Sequence, residues 1–310
     1  VKSYLRLIFV LTLQIAWALP IHAASSKLNG FDLRGALIPA KDIHRGGPPR
    51  DGIPALTDPR FVTASKSGLT GRDRVLGVFL GGIAKAYPIR ILNWHEIVND
   101  ALGGQRIAVT YCPLCGTAMV FASEAAGRRR SFGVSGLLYN SDVLLYDRES
   151  GSLWSQVMKQ AVSGPVKGAP LQQIPARHTT WAKWRKEHPQ TTVLSFNTGH
   201  RRDYERDPYA GYASNEAVFF PVPDDARLPR KEWVLGLSVN GVSKAYVLSD
   251  CPETFSDTFD KTQVVVHCDR AERSAYAVDS EGTEYPSVQA YWFAWAAFHP
   301  DTEIVRMAKK

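Results

Sequence analysis

The strongest constraint on this chain is that part of it occurs twice. "VLGVFLGGIAKAY" at 75–87 aligns with "VLGLSVNGVSKAY" at 234–246 at a constant offset of 159, with seven of thirteen positions identical. Both keep Gly77/Gly236, Gly82/Gly241 and the Lys-Ala-Tyr ending. Each has apolar alternation on both sides of a glycine-containing turn, the pattern of a β-hairpin. "IAVTYC" (107–112) matches "QVVVHC" (263–268), which sets Cys112 over Cys268, and a second strand-like run follows each, "TAMVFAS" or "SAYAVDS". "WAKWRKEHPQTTV" (181–193) matches "WFAWAAFHPDTEI" (292–304). Each of these reads as a short helix halted before a proline and leading into a strand. The fold expected from such a pattern is α+β and β-rich: two pseudo-repeated units of hairpins and strands with a few short helices. Residues 71–200 make the first unit and 233–310 the shorter second one. A linker with proline and charge spans 201–232, and a Pro- and Gly-rich irregular segment spans 24–70.

The copies are unequal. The first is 44 residues longer between Phe121 and Trp181 than the second is between Tyr276 and Trp292, and it alone has a second cysteine, Cys115. Both additions follow one turn. The first copy is therefore expected to carry the chemistry and the second to support it.

That turn is "VTYCPLCGTAMVF", 109–121. In a thioredoxin-type site the Cys-X-X-Cys opens a helix whose N-terminus lowers the first thiol's pKa. Here glycine and a short apolar run follow Cys115, so the pair sits on a hairpin tip, the geometry that points two thiolates at one metal. A third ligand is expected from His95. "ILNWHEIVNDALGG" (91–104) reads as a helix ended by Gly103-Gly104, with Ile91, His95, Val98 and Leu102 on one face. Cys112, Cys115 and His95 would make a soft site with an open fourth position, suited to copper first and zinc second. Two other readings stand beside it: a thiol–disulfide enzyme cycling Cys112 and Cys115, and a small-ligand-binding or scaffold module with structural disulfides. Hydrolase motifs fail. "HEIVN" has Asn99 where a zincin needs its second histidine, and "GVSGL" has Leu137 where a nucleophile elbow needs glycine.

The insert "SFGVSGLLYNSDVLLYDRESGSLWSQ" (131–156) reads as a hairpin turning at Glu149-Ser150-Gly151. Its polar residues Ser135, Asn140, Ser141, Asp142, Trp154, Ser155 and Gln156 stand among apolar ones, as in a hydrogen-bonded network or a ligand pocket. Cys251 and Cys268 lie 17 apart, a spacing suited to an exported disulfide. On the loop-closure account such a bond is worth roughly 3 kcal/mol.

Lys2 and Arg6, the apolar run Leu7–Leu19 and the small residues to Ala24 read as a secretory signal cut near Ala23. The mature protein is expected to be exported, periplasmic and soluble, without a membrane span. Without those 23 residues the net charge falls from +7 to +5. Arg128-Arg129-Arg130 is the basic run and has no aromatic interleaving, which argues against a nucleic-acid partner. The expected partner is a small molecule or a metal-handling protein.

"NWHEIVND", "VTYCPLCGTAMVF", "FGVSGLLYNSDVLLYDRESGSLWSQ" and "RDYERDPYAGY" resemble a widespread bacterial exported family known as a domain of unknown function, over about residues 50 to 305. The resemblance implies that His95, Cys112, Cys115 and the insert belong to that family's pattern. It implies no activity.

Overall fold

The computed structural model describes residues 27–306, so the expected signal at 1–23 lies outside the described residues. Strands hold 43% of the described residues and helices 9%, which makes it β-rich with few, short helices. Where two units were expected, the strands form five principal sheets in a propeller-like arrangement.

Four of those sheets share strand order in pairs. Sheet I runs Arg177–Thr180, Arg74–Leu80, Ile83–Pro88, Thr192–Leu194, Phe61–Thr63. Sheet IV runs Val288–Tyr291, Trp233–Val239, Val242–Val247, Glu303–Val305. In both, an antiparallel strand flanks a hairpin on one side and a parallel strand flanks it on the other. The helices Trp181–Glu187 and Trp292–Ala296 make the equivalent crossovers. Sheet II carries the meander Ile97–Leu102, Gln105–Cys112, Thr117–Ala122, and sheet V the meander Thr254–Phe259, Thr262–Asp269, Ser274–Val278. Sheet III is the insert, Phe132–Tyr139, Asp142–Asp147, Leu153–Ser155 and Gln160–Ser163, with Ile43–Arg45 on its edge.

The packing repeats as well. A Cβ on Gly77 would lie 2.3 Å from the Trp184 ring, and one on Gly236 would lie 2.2 Å from the Trp295 ring. Only glycine lets each crossover tryptophan lie flat on its hairpin. Trp184 Nε1 donates to Thr191 Oγ1 and Trp295 Nε1 to Thr302 Oγ1, both at 3.0 Å. Lys85 and Tyr87 both donate to Asp100 at 2.7 Å, and Lys244 and Tyr246 to Asp257 at 2.8–3.0 Å.

The expected helix over 91–104 is corrected. The helix is Ile89–His95, and Ile97–Leu102 is a strand. Glu96, at φ +56°, ends the helix, and Gly103 and Gly104, both at positive φ, form a two-residue hairpin turn instead of a helix cap. The β-branched pair Ile97-Val98 fits the strand. The segment 24–70 is more integrated than its composition suggests, since Ile43–Arg45, Leu56–Thr57 and Phe61–Thr63 each add an edge strand to a different sheet. Residues 201–232 hold no strand or helix, yet they bury Tyr204, Tyr212 and Leu228. One apolar cluster joins Cys112, Cys115 and Met119 to Phe132 and Trp154 of the insert and to Val234, Tyr291 and Trp292 of the second copy. Both halves of the chain therefore share a continuous core.

Candidate metal centre

Cys112 ends one strand, Thr117 opposite it begins the next, and residues 113–116 turn between them, which is the expected hairpin tip. Cys115 N donates to Cys112 O at 3.2 Å, which folds the second thiol back beside the first. Gly116 has φ +66°, and a Cβ there would lie 2.5 Å from the Trp233 ring. Both the turn and this contact demand glycine. Tyr291 N donates to Cys115 O at 2.9 Å, so the strand Val288–Tyr291 braces the turn.

A second hairpin tip meets the first. Asn140 and Ser141 stand at φ +50° and +65°, as a type I′ turn requires, between the insert strands Phe132–Tyr139 and Asp142–Asp147. Ser141 O accepts from the Cys115 thiol at 3.2 Å and lies 3.7 Å from Cys112 Sγ. Asp142 follows, and its carboxyl and the two sulfurs all lie within 4.8 Å of one another. The three residues are 1%, 0% and 1% exposed, and the two cysteines are not joined to each other.

Neighbouring polar groups fix the carboxylate. Thr117 Oγ1 lies 3.3 Å from Asp142 Oδ1 and donates to Gln156 Oε1 at 2.6 Å. Gln156 Nε2 donates to Thr110 Oγ1 at 2.7 Å, and Thr110 donates to Met119 O at 2.8 Å. Val157 N donates to Asp142 Oδ2 at 3.3 Å. Burial pushes both thiols up, and it pushes Asp142 up to about 7 against these hydrogen bonds. Burial, with Asp142 close by, pushes Glu96 up to about 8. Ser141 Oγ is buried without a hydrogen-bond partner, an anomaly inside a protein. Thiols raised in this way are unreactive by themselves, whereas a bound cation deprotonates a coordinating thiol outright.

His95 is not brought to the cysteines. It is fully buried, and its Nδ1–H donates to Pro54 O at 2.7 Å. Nε2 must then accept, and it accepts from Tyr204 OH at 2.7 Å. Both ring nitrogens are thus engaged, and burial pushes the imidazole down to about 4. The insert residues divide. Ser141, Asp142 and Gln156 converge on the thiols, while Ser135 bonds Leu144 O at a strand irregularity, Trp154 Nε1 donates to Asp147 Oδ2 at 2.8 Å, and Ser155 Oγ accepts from Met158 N at 3.3 Å. Asn140 Nδ2 reaches Ala297 O in the second copy at 3.2 Å. Cys251 and Cys268 form a disulfide, with 6.2 Å between Cα atoms. Sequence reasoning missed Thr110, Thr117 and Glu96. The Asn140-Ser141 pair between two apolar runs was the signal that could have located the second tip.

Fold and site together define a β-rich protein of several small sheets with a buried thiol–carboxyl cluster where two hairpin tips meet. The chain belongs to the family described as Protein of unknown function (DUF3179), which matches residues 50–302. No curated protein and no solved structure matches it.

Proposed function

We propose that Cys112, Cys115 and Asp142 hold a single metal ion, and that the protein binds it or uses it in metal-dependent chemistry. The observation that carries this reading is the state of the four cysteines: Cys251 and Cys268 are joined, while Cys112 and Cys115 stand side by side unjoined with a carboxyl beside them. A metal ion accounts for thiols that coexist with a disulfide. A carboxylate in place of the expected imidazole moves the preference from copper to zinc, which takes sulfur and oxygen ligands together. Three protein ligands leave a fourth position free, as catalytic zinc sites do. Raised, buried thiols count against a cycling dithiol.

Export to the periplasm fits the Cys251–Cys268 disulfide, because such bonds persist in oxidising compartments. The shared strand order of sheets I and IV and of the two meanders supports descent from two copies of one unit, the first working and the second bracing it. The reading is tested by loading purified protein with Zn²⁺ and counting bound metal in wild type, Cys112→Ser and Asp142→Asn. Loss in both variants is expected. Unchanged metal content in both would overturn it.

A further inference from the structure

Beside the cluster lies a cavity of about 80 Å³, room for roughly two or three waters. Its walls are largely apolar, with Ile53, Leu114, Val134 and Leu138 among them. Cys112 opens onto it from the metal-binding turn, and Glu96 and Tyr209 are the other groups able to form strong hydrogen bonds along its lining.

Glu96 is anomalous three times over. Its backbone is at φ +56°, a conformation that side-chain-bearing residues avoid and that clusters at functional positions. It is 8% exposed, although buried charged residues are normally paired. Its backbone N–H donates to Leu92 O and its carbonyl accepts from Tyr111 N, which fix the main chain, yet its carboxyl makes no hydrogen bond among the described residues. A largely buried residue whose carboxyl lines a cavity without a hydrogen bond, held there by strained backbone, points to a ligand that completes it.

Resting on the metal reading above, we propose that this cavity is where the metal ion takes its exogenous ligand, a small molecule bearing a hydroxyl, and that Glu96 receives that hydroxyl. Glu96 lies outside the cluster of Cys112, Cys115 and Asp142, so it serves the ligand and not the ion. The apolar walls suit a short hydrocarbon body, and Glu96 suits its polar end.

The test uses the full chain loaded with Co²⁺, whose thiolate charge-transfer bands report occupancy of the site. The probes are 2-mercaptoethanol and 1-propanethiol, equal in shape and different in one hydroxyl. Wild type is expected to bind 2-mercaptoethanol the more tightly. Glu96→Leu should shift that ratio roughly tenfold toward 1-propanethiol with cobalt stoichiometry unchanged, and Glu96→Gln should largely keep it. Normal cobalt binding with no change of ratio in Glu96→Leu overturns this inference alone. Absence of cobalt binding in wild type overturns it together with the metal reading. Should Glu96→Leu fail to fold, the wild-type preference decides: tighter binding of 1-propanethiol overturns the proposal.

Discussion

Cys112 and Cys268 occupy matching strand ends in sheets II and V, yet they meet different neighbours. In the second copy, "VLSDCPE" follows the Lys-Ala-Tyr hairpin directly, and its Cys251 bonds Cys268. In the first copy the same connection holds the helix Ile89–His95 and Glu96, and no cysteine. Cys112 is left free, Cys115 is added beside it, and the insert brings Asp142 over both. One copy closes its sheet junction with a covalent bond. The other leaves two free thiols beneath a carboxyl and surrounds them with a buried histidine, a braced turn and an extra sheet.

The comparison breaks most directly at the paired cysteines. Cys112→Ser is expected to abolish metal binding, whereas Cys251→Ser should keep it and lose roughly 3 kcal/mol of stability. Equal metal loss in both would erase the distinction between the halves.

A second break is pH. His95 is held neutral, its pKa down at about 4, so below its ordinary value the unfolded chain takes up a proton that the native state refuses. Stability should therefore fall as pH drops from about 6.5 to about 4, by up to about 3 kcal/mol from this residue. Glu96, pushed up to about 8, acts in the opposite sense and costs stability as pH rises from its ordinary value toward 8. Comparing wild type with His95→Gln in urea at several pH values isolates the histidine: the difference should shrink as the pH falls toward 4. A pH-independent difference would contradict a buried neutral imidazole.

The glycines test whether the halves are built alike. Gly77→Ala and Gly236→Ala each drive a methyl group into a tryptophan ring, and each should destabilise the fold by about 2 kcal/mol in urea titrations. A large effect in one and none in the other would show that the crossovers do not bear equivalent loads. The smallest effect concerns Gln156. Gln156→Leu should weaken metal binding roughly tenfold by freeing Thr117 beside Asp142. No change in affinity would mean that the carboxylate needs no help.

Much of the fold was legible because it is local. The hairpins at 75–87 and 234–246 follow from alternation around glycine, and the crossover helices from tryptophan spacing before a proline. The split into five sheets was not, because strand partners such as Leu56–Thr57 with Ile97–Leu102 are set by tertiary pairing between distant segments. The stretch 91–104 misled for a specific reason. Its apolar residues fit a helical period, the strand Ile97–Leu102 shows no alternation because it is buried on both faces, and Gly103-Gly104 serves as a helix stop or a hairpin turn equally well. The two cysteines declared themselves through their spacing. Asp142 was legible only as one polar residue in a group, since its approach to the thiols depends on two hairpin tips meeting from separate sheets. His95 shows the converse: an inward-facing histidine whose partners, Pro54 and Tyr204, no local pattern reveals.

The central claim is the metal at the two hairpin tips. It is tested most directly by elemental analysis of protein isolated from an oxidising compartment without chelator, with a thiol count on the same sample before and after metal removal. The account predicts about one zinc per chain and two thiols that react only once the metal is removed. Metal-free protein with Cys112 and Cys115 joined in a second disulfide would contradict it.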